Sequence, residues 1–241
     1  MATVVLARHG RTTANASGVL AGRAKGVGLD EHGLAQATAA GERLAGVPVA
    51  AVVTSPLERC RRTARAIAQA LPGQVRPTSE RGLLECDYGE WTGRELKTLA
   101  KEPMWATVQA HPSAAAFPGG ESMATMAARA VEAVRRWDAR VEAEHGPDAV
   151  WVAVSHGDVI KAVLADALGM HLDAFQRIVV DPGSLSVVRY TPLRPFVLTA
   201  NSTAGDLGHL RPPPKRSGRR RRAASSDAAV GGGAGAVGPT L

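Results

Sequence analysis

Arg8 and His9 close the apolar run Thr3-Val4-Val5-Leu6-Ala7, and His156 follows a second run, Val150-Trp151-Val152-Ala153-Val154, after Ser155. Each of these histidines precedes a glycine. A third run, Ala50 to Thr54, leads through Ser55-Pro56-Leu57-Glu58 into Arg59, and Glu85 stands where the pattern of the chain changes. Brought to one point, two guanidinium groups and two imidazoles form a cationic nest. Its natural guest is a tetrahedral dianion, above all a phosphoryl group, because guanidinium forks match phosphate oxygens bidentately. Charge-assisted hydrogen bonds contribute about 1.5–3 kcal/mol each, so several together hold a phosphate firmly. The same arginines repel a metal cation, and the chain has no His-Glu-x-x-His, Cys-x-x-Cys or Gly-x-x-x-x-Gly-Lys-Ser/Thr spacing. Neither a metal nor a cofactor is expected.

These side chains can meet only if the elements carrying them end at one edge. The β-branched runs read as strands buried on both faces, as in parallel sheets, where ligands gather outside the carboxyl ends of the strands. Helical spacing between the runs predicts a helix from the N-cap Asp30 to about Leu44, with Leu34, Ala37, Gly41 and Leu44 on one face. A second is expected from Ser55-Pro56 to about Ala70, and another from Val159 to Leu168. Further strands are expected at Val75–Ser79, Leu185–Tyr190 and Phe196–Ala200. The stretch from Cys86 to Asp148 interrupts this rhythm and reads as an inserted helical cap. It holds a long amphipathic helix from Glu121 to Glu144, apolar along Met123, Met126, Ala130, Val134, Trp137 and Val141 and stopped by Gly146-Pro147. The fold class is α/β: a three-layer αβα sandwich with a mostly parallel sheet covered on both faces. Residues 1–210 form the catalytic domain, with the cap at about 86–148.

Arg8-His9-Gly10-Arg11-Thr12-Thr13-Ala14-Asn15 resembles the Arg-His-Gly-x-Thr-x-x-Asn signature of the histidine phosphatase, or phosphoglycerate mutase-like, superfamily. The resemblance continues in order through Asp30-x-x-Gly33-x-x-Gln36-Ala37 and Ser55-Pro56-Leu57-x-Arg59-x-x-x-Thr63-Ala64. It ends with Glu85-x-Asp87-x-Gly89-x-Trp91-x-Gly93, Pro118-Gly119-Gly120-Glu121-Ser122 and Ser155-His156-Gly157. It implies that His9 attacks phosphorus to give a phosphohistidine, and that Arg8, Arg59 and His156 bind the equatorial oxygens, with Asn15 as a further phosphate donor. It also implies that Glu85 protonates the leaving alkoxide and then activates water. That role needs a raised carboxyl pKa, which nearby arginines oppose. Asp158 reads as a helix cap, and His32, His111, His145, His171 and His209 as residues without a partner pattern.

Within the resemblance, a phosphatase is favoured over a phosphoglycerate mutase-like phosphomutase. The segment 86–148 carries seven basic and ten acidic residues, so it is not enriched to hold a second anion. The Arg135-Arg136 pair lies late in the long helix, away from the Arg-Arg pair that the mutases carry near substrate. The implied activity is that of a histidine acid phosphatase-type phosphomonoesterase acting on a small phosphorylated metabolite.

The 241 residues carry a net charge of +7, with 45% hydrophobic and only 4% aromatic residues, so Ala, Val and Leu must build most of the core. Seven of the 29 basic and two of the 22 acidic residues follow Ser202, which leaves a nearly neutral body of charge +2. Nucleic acid is therefore not an expected partner; only the basic tail, with Arg219 to Arg222, has that character, and no aromatic residue interleaves it for stacking. Residues 211–241 read as a disordered low-complexity tail separate from the enzyme. No run reaches the roughly 18 apolar residues of a membrane helix. A strand begins within three residues of Met1 with no signal peptide, and the two cysteines, Cys60 and Cys86, suit a reducing cytoplasm as small buried hydrophobes. The sequence leaves a homodimer open.

Overall fold

A computed structural model describes residues 1–73, 75–204 and 231 of the chain. Six strands form one sheet in the order β3-β2-β4-β1-β5-β6: β1 (Thr3–Arg8), β2 (Val49–Thr54), β3 (Thr78–Ser79), β4 (Val150–Ser155), β5 (Leu185–Arg189) and β6 (Phe196–Ser202). The pairs β1–β4, β2–β4 and β2–β3 are parallel, while β5 runs antiparallel to both β1 and β6.

Alternation along β1 explains why its run is apolar at every position. Val4 and Leu6 enter one core with Ala153 of β4, whereas Val5 and Ala7 enter another with Val152 and Val154. Both faces are therefore closed by helices. On the first lie α6 (Met123–His145) and α7 (Gly157–Ala167); on the second lie α2 (Glu31–Glu42) and α3 (Glu58–Ala70). The short helices α1 (Thr13–Ala16), α4 (Leu96–Leu99) and α5 (Pro103–Ala110) belong to the segments around the carboxyl edge and the insertion.

Several elements differ from the sequence expectation. Leu34 is 48% exposed, and the buried face of α2 is Gly33, Ala37, Ala40 and Gly41. Small residues are needed there because a β-carbon on Gly41 would stand 3.1 Å from the backbone of α3 at Ile67. Helix α3 starts at Glu58, later than Ser55-Pro56, because extended Leu57 is its N-cap and Leu57 O accepts the first helical bonds from Cys60 and Arg61. Strand β3 is only two residues long; Pro77 just before it lacks the N–H a longer ladder would need. Helix α6 starts after Glu121, with Ser122 as N-cap, and it is a layer helix of the sandwich. The insertion therefore divides. Its first part packs near the carboxyl edge, where Leu20 N and Leu96 N donate to Arg94 O and Gly18 O. There Tyr88, Trp91, Trp105 and Phe117 form an aromatic cluster, with ring centroids 5.0 to 6.1 Å apart in each contacting pair.

Of the tail from 211 to 241, only Gly231 is described, and the rest of that expectation lies outside the described residues. Among the described residues no helix is long and apolar enough to cross a membrane. Cys60 and Cys86 are buried and free, as expected of small core residues.

Candidate active site

The strand register assembles the site. Arg8 pairs with Ser155 at the ends of β1 and β4, so His9 and His156 leave the sheet side by side, and His9 N donates to Ser155 O at 3.0 Å. The two rings lie 5.3 Å apart, edge to face. After His9 the chain turns in a very confined space. A β-carbon on Gly10 would lie 2.0 Å from Gly33 O, and one on Gly33 would lie 1.9 Å from Arg11 O. Only paired glycines allow these backbones to cross. Gln36 Oε1 accepts from Arg11 N at 2.9 Å, and Asp30 both caps α2 through Gly33 N and pairs with Arg11. The motif residues around Asp30 thus brace the loop that carries His9.

His9 Nδ1 lies 2.7 Å from Gly10 O. A carbonyl only accepts, so Nδ1 carries the proton and the lone pair is on Nε2. Burial, and then the charges of Arg59 and Arg8, hold the His9 pKa well below its ordinary value. His156 is lowered in the same way, by burial first and then by Arg59. The guanidiniums therefore supply the positive charge of the nest, and both imidazoles are neutral at neutral pH. His156 Nε2 lies 2.8 Å from Ser55 Oγ and 3.4 Å from Cys60 Sγ.

Arg8 and Arg59 are both buried. Arg8 Nη1 donates to Val180 O at 2.7 Å, and burial lowers its pKa to about 10, still a cation at neutral pH. Arg59 Nη2 donates to Gly22 O at 2.7 Å, while its buried Nη1 has no hydrogen-bond partner among the described residues. A buried guanidinium N–H on a cavity wall is an anion donor awaiting an acceptor.

Glu85 is 4% exposed. Its pKa is pushed up to about 7 by burial and by the Asp158 charge, which outweigh the opposing pull of Arg59 and Arg8. Its backbone carbonyl accepts from Arg23 Nε at 2.8 Å and Arg129 Nη2 at 3.0 Å. Glu121 ties those two arginines together, accepting from Arg23 Nη2 at 2.7 Å and from Arg129 Nη2 at 2.5 Å. Asp158 does not cap α7, whose N-cap is His156. It is buried, and its Oδ2 accepts from the Tyr88 hydroxyl at 2.7 Å.

His9, Asn15, Arg59 and Glu85 line one cavity of about 290 Å³. Asn15 Oδ1 is taken by Thr12 N and Thr12 Oγ1 in a capping box, so only the amide NH₂ of Asn15 can serve a ligand. Beyond these residues the walls are neutral, with Val19, Leu20, Leu96 and Tyr88 among them. Among the described residues no lysine, and no arginine other than Arg59, lines this cavity.

Of the six residues expected from the sequence, His9, Asn15, Arg59 and Glu85 line this cavity, whereas Arg8 and His156 are not among its lining residues, and sequence reasoning missed the supports of Glu85. Arg23 and Arg129 carried no local signal; Glu121 lay in the Pro-Gly-Gly-Glu-Ser stretch, which marked it without showing its task. His32, His111, His145 and His171 are exposed, and His209 lies outside the described residues.

A family model described as histidine phosphatase superfamily (branch 1) matches residues 4–203. The probable phosphoglycerate mutase GpmB of Klebsiella pneumoniae is 32% identical over 218 residues, spanning 88% of this chain and 97% of that protein. Among solved structures, the α-ribazole phosphatase from Shigella flexneri is 27% identical with a TM-score of 0.70, covering 83% of this chain and 96% of that one. A mycobacterial glucosyl-3-phosphoglycerate phosphatase, solved as a complex with VO3, is 26% identical with a TM-score of 0.73, covering 83% and 98%.

Proposed function

The chain belongs to the histidine phosphatase superfamily, branch 1, and on that premise we propose that it is a metal-independent phosphomonoesterase that hydrolyses a small phosphorylated metabolite through a phosphohistidine on His9. The observation that carries this reading is the neutral His9 ring, fixed by Gly10 O with its Nε2 lone pair available, in a cavity it shares with Arg59 and a near-neutral Glu85 carboxyl.

In the proposed reaction, His9 Nε2 attacks phosphorus, the N–P bond forms and the P–O bond to the leaving group breaks. The Glu85 proton passes to the departing alkoxide. Arg8, Arg59, His156 and the Asn15 amide donate to the equatorial oxygens as charge spreads over them. Ionised Glu85 then takes a proton from water as that water attacks phosphorus and breaks the N–P bond. Inorganic phosphate leaves, and neutral His9 and protonated Glu85 are restored. A bound dianion raises the pKa of His156, so phosphate binding draws a proton toward that ring.

The cavity walls favour a phosphatase. A phosphoglycerate-like substrate brings a carboxylate, and beyond Arg59 the described lining offers no second cation to receive it. The neutral walls suit an uncharged or apolar leaving group. The phosphomutase alternative rests on the relatives named for that activity. A cytoplasmic location is supported by the two free, buried cysteines.

The test is phosphate release from p-nitrophenyl phosphate and a panel of phosphorylated metabolites with excess chelator. The wild type should turn over and His9→Ala should not. Activity abolished by chelator but retained by His9→Ala would refute the reading. Conversion of 3- to 2-phosphoglycerate without phosphate release would decide for the mutase.

A further inference from the structure

We infer that Arg129, locked in place by Glu121 and Arg23, is a positioning residue that fixes the backbone carrying Glu85 and so aims that acid at the leaving oxygen. The inference rests on the phosphatase reading and adds to it a residue that does not line the cavity. Glu85 follows a 3₁₀ turn, Arg81–Leu83, and belongs to no strand or α-helix. Side chains hold four successive carbonyls there. Arg129 Nη1 donates to Gly82 O and Leu84 O, each at 2.8 Å, and Arg129 Nη2 donates to Glu85 O at 3.0 Å. Ser155 Oγ donates to Leu83 O at 2.8 Å, and Arg23 Nε donates to Glu85 O at 2.8 Å. The turn also presses on α6, since a β-carbon on Gly82 would stand 2.4 Å from Ala133 Cβ. Cys86 N donates to Glu85 Oε1 at 3.0 Å, so the carboxyl takes its direction from the backbone that Arg129 pins.

The network is closed. Glu121 Oε2 accepts from Arg129 Nε at 3.0 Å, and Glu121 Oε1 accepts from Arg129 Nη2, Arg23 Nη2 and Asp87 N at 2.5, 2.7 and 2.9 Å. Arg129 thus makes five bonds, one for each N–H of a guanidinium, and keeps no donor for an anion. Arg23 Nη1 meets Asp87 Oδ2 at 3.3 Å, so two guanidiniums face two carboxylates and the clamp adds no net charge beside Glu85. A lysine at 129 would keep the charge but has three donors and no planar fork.

The leaving group separates positioning from scaffolding. p-Nitrophenolate departs without a proton, whereas an alkoxide needs the one that Glu85 gives. A misplacement of about 1 Å costs about 10²-fold in rate. In Arg129→Lys, phosphorylation of His9 by n-butyl phosphate, followed by rapid quench, should slow by that factor, while p-nitrophenyl phosphate should react at the wild-type rate. Equal loss with both esters, or no loss with either, would overturn the inference. If Arg129→Lys does not fold, Arg23→Lys carries the test. Arg23 lies outside the helices and strands, and its loss should show the same preference between esters; equal or absent loss would again overturn the inference. Amide exchange gives a readout independent of turnover. The Cys86 N–H should exchange faster in Arg129→Lys while the amides of β4 keep their protection. If neither ester labels His9 in the wild type, the phosphatase reading fails, and the exchange comparison still decides the clamp: unaltered Cys86 exchange would overturn it.

Discussion

Glu85 Oε2 lies 3.9 Å from His156 Nδ1, and the two side chains are 5% and 0% exposed. Both groups are buried, and burial together with the Asp158 charge pushes the Glu85 pKa up to about 7. In the proposed chemistry the Glu85 proton goes to the leaving group. The value of kcat/KM, corrected for substrate ionisation, should therefore be level below about 7 and fall tenfold per pH unit above it. A profile that rises through the same range would contradict the assignment of Glu85 as the acid.

Asp158 is the second cause of the raised Glu85 pKa, after burial. Asp158→Asn removes that negative charge and leaves Arg59 and Arg8 less opposed. The falling limb of kcat/KM should move to lower pH, with His9 still phosphorylated. A limb that stays in place would mean that Asp158 does not raise the Glu85 pKa.

Stability should carry the same signature. Glu85 titrates at about 7 in the folded chain against an ordinary carboxyl value of 4.5, so its protonated form favours folding below 4.5 and that advantage is lost as pH rises through 7. Glu85→Gln has no charge to bury. The stability gap between Glu85→Gln and wild type should shift in favour of the variant by up to about 3 kcal/mol between pH 4 and pH 8. Urea unfolding at the two pH values measures it, and a gap independent of pH would contradict the buried-acid description. Turnover by the same variant should drop by about 10² to 10⁴.

Arg59→Lys keeps a positive charge and loses the fork that spans Gly22 O and the cavity. Losing one charge-assisted bond of about 1.5–3 kcal/mol should weaken competitive inhibition by inorganic phosphate roughly 10- to 100-fold. An unchanged inhibition constant would show that Arg59 does not contact the anion.

Gly10→Ala places a β-carbon where Gly33 O already stands. Overpacking of this kind costs about 1–3 kcal/mol, and here the strain falls on the carbonyl that holds the His9 tautomer. Denaturation should show that loss, and turnover should fall further than the loss of folded protein explains. Wild-type turnover in a stable Gly10→Ala would separate the Gly10 carbonyl from the chemistry.

The sheet was legible because its central strands are apolar at every position, which only burial on both faces explains. The glycines after His9 and His156 and the carboxyl ends of those strands then placed both rings at one edge. Features that depend on three-dimensional neighbours were not legible. Leu34 has the spacing of a core residue, yet it is 48% exposed, and α2 meets α3 closely at Gly41. Asp158 sits in the first turn of α7, where a carboxylate usually serves the helix, but Tyr88 reaches it from 70 residues away. The balance at Glu85 needed the burial and the Asp158 charge together, and neither is local in sequence.

The most direct measurement is rapid quench of the full-length protein with a phosphoester substrate, followed by peptide mapping of the labelled residue. A phosphoryl group should appear on His9 before steady-state phosphate release, acid-labile and absent from His9→Ala. Turnover by the wild type with no label on His9, or an equal label on the His9→Ala protein, would contradict covalent catalysis by this imidazole.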